Sequence, residues 1–213
     1  MIMKKHVIHI LCAFDYGGAE RFVYDLVKFG NHEKFSFSVI TVVGGGPLQP
    51  LFETLGVPIH VLHKKGKLGL GVIREMVKIL KFEKADIVHT HQFAGAAWGR
   101  IAAILAEIPT ILTTEVNVNL DEGWVKKRVK QLLSHWNKKI IAISQAVYDD
   151  TFRTEHVSPK KLAIISNGID LQKFWGAPRV PSTVAPVVGV VARFYPQKGH
   201  TTLLAAWPEV VAA

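Results

Sequence analysis

The chain has 213 residues, close to half of them hydrophobic and a fifth charged, with a formal charge of +9. That balance excludes a disordered or fibrous chain, and the length allows one large α/β domain or one domain with part of another. No apolar run reaches membrane-spanning length, a single cysteine, Cys12, excludes an internal disulfide, and the excess of cations admits nucleic acid, an anionic membrane or phosphorylated substrates.

Lys4 and Lys5 precede an apolar run broken by His6, His9 and Asp15, so the amino terminus reads as a first strand over residues 6–13 and not as a signal peptide. A cytoplasmic location is the default expectation. Val7, Ile8, Ile10 and Leu11 are the buried residues of that strand, and Ala19, Phe22, Val23, Leu26 and Val27 recur at helical spacing over residues 19–29. Between them Phe14-Asp15-Tyr16-Gly17-Gly18-Ala19-Glu20-Arg21 forms a strand-to-helix turn. Its glycines and the unpaired first amides of the helix suit an anion such as a phosphate; the alternative is a plain structural turn.

Further strand candidates follow at residues 35–43, 58–62, 86–90, 110–114, 139–143 and 162–165, which makes seven. Helices fill the gaps: 47–55 after Gly44-Gly45-Gly46, one with Val72, Ile73, Met76, Val77, Ile79 and Leu80 as its apolar face, then 94–106, 122–136 and 145–154. This alternation predicts an α/β fold, a doubly wound parallel sheet of about seven strands. In the helix at 122–136, Trp124, Val125, Val129, Leu132, Leu133 and Trp136 are expected to pack on the sheet, with Lys126, Lys127, Arg128 and Lys130 in water. The minority reading is an interfacial helix at a membrane.

Gly176, Pro178, Pro181 and Pro186 break the pattern, so residues 1–171 are expected to form one Rossmann-like domain and 172–186 a linker. Residues 187–213 then read as the first βα unit of a truncated second domain, with a strand at 187–192, a turn at 193–200 and a helix from 201, because so short a segment cannot enclose a core. His89 and His91 lie two apart and face the same way on a strand, a spacing that suits a metal, but no third ligand presents itself nearby and no metal is expected. His91, at the carboxyl end of the strand, is the better candidate for touching a ligand; His89 is the packed one.

Six motifs follow one another along the chain: Gly17-Gly18-Ala19-Glu20, Leu55-Gly56-Val57-Pro58-Ile59 with His60-Val61-Leu62, Asp86-Ile87-Val88-His89-Thr90-His91, Ile141-Ala142-Ile143-Ser144, Ile165-Ser166-Asn167-Gly168-Ile169-Asp170, and Val191-Ala192-Arg193 with Lys198-Gly199. In this order they resemble family 4 retaining glycosyltransferases of the two-Rossmann GT-B architecture, over nearly the whole chain. The resemblance implies that residues 1–171 are the acceptor-side domain and that a sugar passes from a nucleotide-sugar donor to an acceptor with retention. It implies no cofactor and no metal, with Gly17, Gly18, Arg193 and Lys198 at the donor diphosphate.

The acceptor would be a glycan or a lipid-linked sugar met by Tyr16, His91 and Asn117, with peripheral contact to the inner face of an anionic membrane as a further option and no nucleic acid. Many members carry a histidine beside the transferred sugar where this chain has Val116 within Thr113-Thr114-Glu115-Val116-Asn117, and a valine cannot hydrogen-bond a sugar. Glu115 joins His91 as a catalytic candidate, its alternative being a solvated loop carboxylate. The family's paired glutamates lie later in the second domain, so the 213-residue form is expected to lack transfer. A nucleotide-sugar epimerase of the same architecture and a non-catalytic sugar-binding domain are the alternatives. A nicotinamide enzyme fits poorly, since Ala19-Glu20-Arg21 stands where a third glycine is needed.

Overall fold

A computed structural model describes residues 4–65, 69–118, 123–173, 176, 187–192 and 194–212. The strands are β1 (Lys5–Leu11), β2 (Phe35–Thr41), β3 (Ile59–Val61), β4 (Ile87–His91), β5 (Thr110–Glu115), β6 (Lys139–Ala142) and β7 (Leu162–Ile164). Between them run α1 (Gly18–Lys28), α2 (Gln49–Glu53), α3 (Leu70–Phe82), α4 (Phe93–Leu105), α5 (Trp124–Ser134) and α6 (Gln145–Glu155), and α7 (His200–Ala212) follows. All seven strands pair in parallel in the order β3-β2-β1-β4-β5-β6-β7, the doubly wound α/β sheet that the alternation of elements predicts.

Alternation along β1 divides the core. Ile8 and Ile10 join Ile40, Val42 and Val88 under α3 and α4, where Val72, Met76, Leu80, Ala102 and Ala103 cover them. Val7 and Leu11 point the other way, to Phe37, Val39 and the α1 residues Val23 and Val27. Helices therefore lie on both faces, and α1 and α4 leave neighbouring strands toward opposite sides. A side chain at Gly95 would strike the Ile10 carbonyl oxygen at 2.8 Å, so glycine lets α4 start against the backbone of β1.

The chain falls into two compact units, residues 1–171 and 172–213. In the second, Pro196–Lys198 makes a short turn, Gly199 takes φ 67°, and α7 buries none of its residues. The strand expected at 187–192 is not formed: those residues are exposed and pair with no other described strand. A strand needs a neighbour for its amides, and this segment has none among the described residues. No helix among the described residues is long and apolar enough to cross a membrane.

Candidate functional site

Between β1 and β4 the strand order reverses, and the loops leaving their carboxyl ends part to opposite faces; open α/β sheets bind ligands at such a point. The β1–α1 loop is pinned from the side. Leu48 donates its amide to the Phe14 carbonyl at 2.9 Å, and Phe14 donates to the Gly45 carbonyl at 3.2 Å. Gly46, at φ 157°, lies so close that a side chain there would run into the Phe14 carbonyl. Tyr16 at the tip is 70% exposed.

Gly17 caps α1 in extended conformation, so its glycine is not required by backbone angle. Space explains it: a β-carbon there would land on Glu20 Oε2. Glu20 is buried and folds back under the turn, where its Oε1 accepts from Gln92 Nε2 at 2.6 Å, and Gln92 Oε1 in turn accepts from the Cys12 amide at 3.3 Å. One carboxylate and one amide thus tie the ends of β1 and β4 together. Gln92 holds φ 58°, a left-handed value that a glutamine keeps only when its surroundings impose it. Glu20 Oε2 is buried and has no hydrogen-bond partner among the described residues. Gly18 is the open member of the pair, with nothing within 4 Å of where a β-carbon would sit.

Beneath this edge three imidazoles meet. His9 of β1 is in register with His89 of β4. His9 Nδ1 lies 3.1 Å from His91 Nε2, and His89 Nε2 bonds Thr114 Oγ1 at 2.7 Å. Sequence reading found no third ligand beside His89 and His91 because His9 lies 82 residues from His91; the sheet supplies it, and one nitrogen from each ring falls within 4.8 Å of the others. Three neutral imidazoles are a metal-competent donor set; His9 and His91 also hydrogen-bond each other, and His89 bonds a threonine.

His91, the expected ligand contact, is fully buried with Phe22 edge-on at 6.0 Å, so it is packed like His89 and not presented at the surface. Its Nδ1 has no partner among the described residues. Burial pushes His89 down to about 4 and drives His9 and His91 well below the ordinary imidazole range, assisted by neighbouring rings, so all three are neutral near pH 7.

Glu115 stands elsewhere. It shares its face of β5 with Ile111 and Thr113 and is buried, where Lys130 of α5 donates to its Oε2 at 3.1 Å and to Glu155 Oε1 of α6 at 2.8 Å. The fully buried Arg100 donates to the Ala96 carbonyl at 2.9 Å and to Asn137 Oδ1 at 3.3 Å, and Asn137 Nδ2 reaches Thr113 Oγ1 at 2.8 Å. Burial, then the Glu115 charge, raises Glu155 to about 7, against the opposing pull of Lys130. Glu115 is therefore neither a solvated loop carboxylate nor open to a sugar; it is half of an internal ion pair. The signal that could have found its partner is the strand's own alternation, which puts Glu115 on the inward side where a lone carboxylate is untenable.

Asn117 is exposed beyond β5, with Val116 half-buried before it. Gly168, Ile169 and Asp170 line a cavity of about 330 Å³ behind α1, together with Phe22, Leu26 and Phe29. Its walls are mainly apolar, and Asp170 pairs with Lys28 at 3.8 Å. In the second unit Lys198 is exposed, and Arg193 lies outside the described residues.

The family model described as Glycosyltransferase Family 4 matches residues 16–173, from the tip of the glycine turn to just past the end of the first unit. The chain belongs to glycosyltransferase family 4. It is 32% identical over 140 residues to the UDP-Gal:alpha-D-GlcNAc-diphosphoundecaprenol alpha-1,3-galactosyltransferase of Escherichia coli, a match covering 58% of this chain and 36% of that protein. With the capsular polysaccharide biosynthesis glycosyltransferase CapH of Staphylococcus aureus it shares 26% over 173 residues, 78% of this chain and 47% of the relative. The family 4 chain thus spans between about a third and a half of these relatives' lengths.

Among solved structures, a glycosyltransferase from Rickettsia africae ESF-5 superposes with TM-score 0.76 at 21% identity, over 97% of this chain and 57% of that one. Anabaena Alr3699/HepE in complex with UDP-glucose does so with TM-score 0.68 at 18% identity, over 81% and 46%. A Staphylococcus aureus MnaA–UDP structure also superposes, with TM-score 0.58 at 14% identity over 85% and 50%. At these identities the superpositions establish the GT-B type of fold, and it is the family model that establishes family 4.

Proposed function

We propose that this chain supplies the acceptor-side domain of a retaining glycosyltransferase that moves a sugar from a nucleotide-sugar donor to a hydroxyl of a glycan or lipid-linked sugar, bound at the carboxyl edge of β1 and β4. The observation that carries this reading is the pairing of an open Gly18 with a buried Glu20 whose Oε2 lacks a partner, at the point where the strand order reverses. The Glu20 carboxylate is closed off beneath Gly17, so its part is to set negative charge under the open Gly18, which disfavours a phosphate there and leaves the place to an uncharged sugar. The diphosphate is then left to cations such as Lys198 and Arg193. Neutral His91 below the turn holds the floor of the site without adding charge.

The Escherichia coli relative is named for UDP-Gal and a diphosphoundecaprenol-linked acceptor, which makes UDP-galactose and a GlcNAc diphosphate the first ligands to test. The 213-residue form is expected to bind the acceptor sugar without turning over donor. Departure of a diphosphate requires charge stabilisation and a held geometry from both sides, and the second unit buries no helix residue with which to hold one. Calorimetric titration of the chain, with Glu20→Gln as comparison, tests the first half: sugar binding weakened by the variant supports the site, and equal binding removes it. An assay of a protein containing a complete second domain, with the product anomer read by NMR, tests transfer and retention. An inverted anomer would contradict the mechanism.

A further inference from the structure

In the sequence His89 and His91 stand one donor short of a metal site, and β1 supplies it. His9 is in register with His89 on the adjacent strand and His91 lies two residues further on, so the three side chains leave neighbouring positions on one face of the sheet. His9 Nδ1 and His91 Nε2 stand 3.1 Å apart. The His89 ring centroid is 4.2 Å from that of His91 and 5.2 Å from that of His9, and one nitrogen from each ring lies within 4.8 Å of the others. Two nitrogens bound at about 2.0–2.1 Å to one tetrahedral zinc lie about 3.3 Å apart, so one pair is already at that spacing and His89 has at most about 1.5 Å to close. Paired strands in the middle of the sheet carry all three rings, and Thr114 fixes His89 from outside through its Nε2 at 2.7 Å.

We propose that His9, His89 and His91 form a zinc-binding site whose fourth position is taken by hydroxide or another small anion. An all-imidazole set suits zinc and its neighbours among the transition metals; magnesium and calcium require oxygen. Three neutral ligands leave the charge of the ion whole in a buried place, and an anionic fourth ligand offsets it. Loading converts one ring to its other tautomer, because the proton between His9 Nδ1 and His91 Nε2 must leave for both lone pairs to face the ion. The metal-free rings add no charge beneath the turn, and nothing in the zinc site depends on which ligand the turn takes.

Zinc itself is the probe. The untagged chain is stripped with a chelator and then dialysed against zinc, or refolded in it because the rings are sealed from solvent, and should retain a single zinc ion by plasma mass spectrometry. X-ray absorption at the zinc edge should show three imidazole nitrogens at about 2.0–2.1 Å and a fourth, lighter-scattering ligand. In competition with a chromogenic chelator, His9→Asn and His91→Asn should each weaken zinc binding by about a hundredfold or more, while His63→Gln and His135→Gln, on exposed rings, should change it by less than about twofold. Circular dichroism identifies a core variant that fails to fold, and the absorption spectrum of the parent decides the matter without any variant. A chain still free of zinc after refolding in it, or an edge spectrum with oxygen and at most one imidazole, overturns the proposal. So does zinc that is lost on the exposed-ring changes and kept on the core ones.

Discussion

At the carboxyl ends of β1 and β4 three imidazoles are buried without charge, whereas beside β5 two carboxylates, a lysine and an arginine are buried together. An imidazole sheds its proton when desolvated and keeps hydrogen-bonding capacity, so His9, His89 and His91 can floor a ligand edge without tying it to counter-ions. Lys130 is instead held between two carboxylates. Its charge must be answered inside the protein, and the residues answering it, Glu115 and Glu155, are committed to it and closed to any ligand. The proposed ligand edge and the electrostatic bracing of the domain thus sit on different strands.

The largest expected effect breaks the second region. Lys130→Met leaves Glu115 and Glu155 facing each other, buried and unpaired, and should cost about 3–5 kcal/mol of stability in urea unfolding, the range for removing one partner of a buried ion pair. Rescue by Lys130→Met combined with Glu115→Gln and Glu155→Gln would show that unpaired charge, and not lost volume, is responsible.

Acid separates the two regions by sign. His89 titrates near 4 when folded against about 6.5 when free, so the unfolded chain takes up the extra proton between those values and stability is lost as pH falls through that window. At pH 5 that one histidine should account for about 2 kcal/mol of loss relative to pH 8. Glu155, raised to about 7 from 4.5, works in reverse: its contribution is full below 4.5 and is lost as pH rises through 7. Unfolding midpoints across pH should therefore fall more steeply on acidification in Glu155→Gln and less steeply in His89→Asn. Parallel curves would contradict the assignment.

The smallest effect discriminates the two glycines of the turn. Gly17→Ala must push Glu20 away from Gln92 and should cost about 1 kcal/mol, whereas Gly18→Ala, at an open position at the start of a helix, should leave stability within about 0.5 kcal/mol. Equal costs in thermal melts would mean that the Glu20–Gln92 bridge does not hold the turn.

The sheet was legible because each strand is a short β-branched run between amphipathic segments, and the turn at Gly17-Gly18 was legible because a glycine pair stands between a strand pattern and a helix pattern. What joins distant strands was not. His9 and His91 are 82 residues apart, and Lys130 is 15 and 25 residues from its two carboxylates, separations at which no local pattern operates. Helical periodicity showed that α5 has two faces but not which one turns inward, since that choice belongs to a carboxylate on another element. Likewise His91 reads as a residue at a strand's ligand-facing end until Phe22 of α1 is seen to pack against it. The segment at 187–192 has a strand's composition without a strand neighbour among the described residues.

In the proposed site, ligand meets the chain at the turn tied down by Glu20 and Gln92. Backbone amide NMR of the chain, titrated with a diphosphate-linked sugar, tests it most directly. The largest shifts should fall on Tyr16, Gly18, Glu20 and Gln92, with β5 and α6 unmoved. Shifts absent from that edge and gathered at Gly168, Ile169 and Asp170 would place the ligand in the apolar cavity behind α1 and contradict the claim.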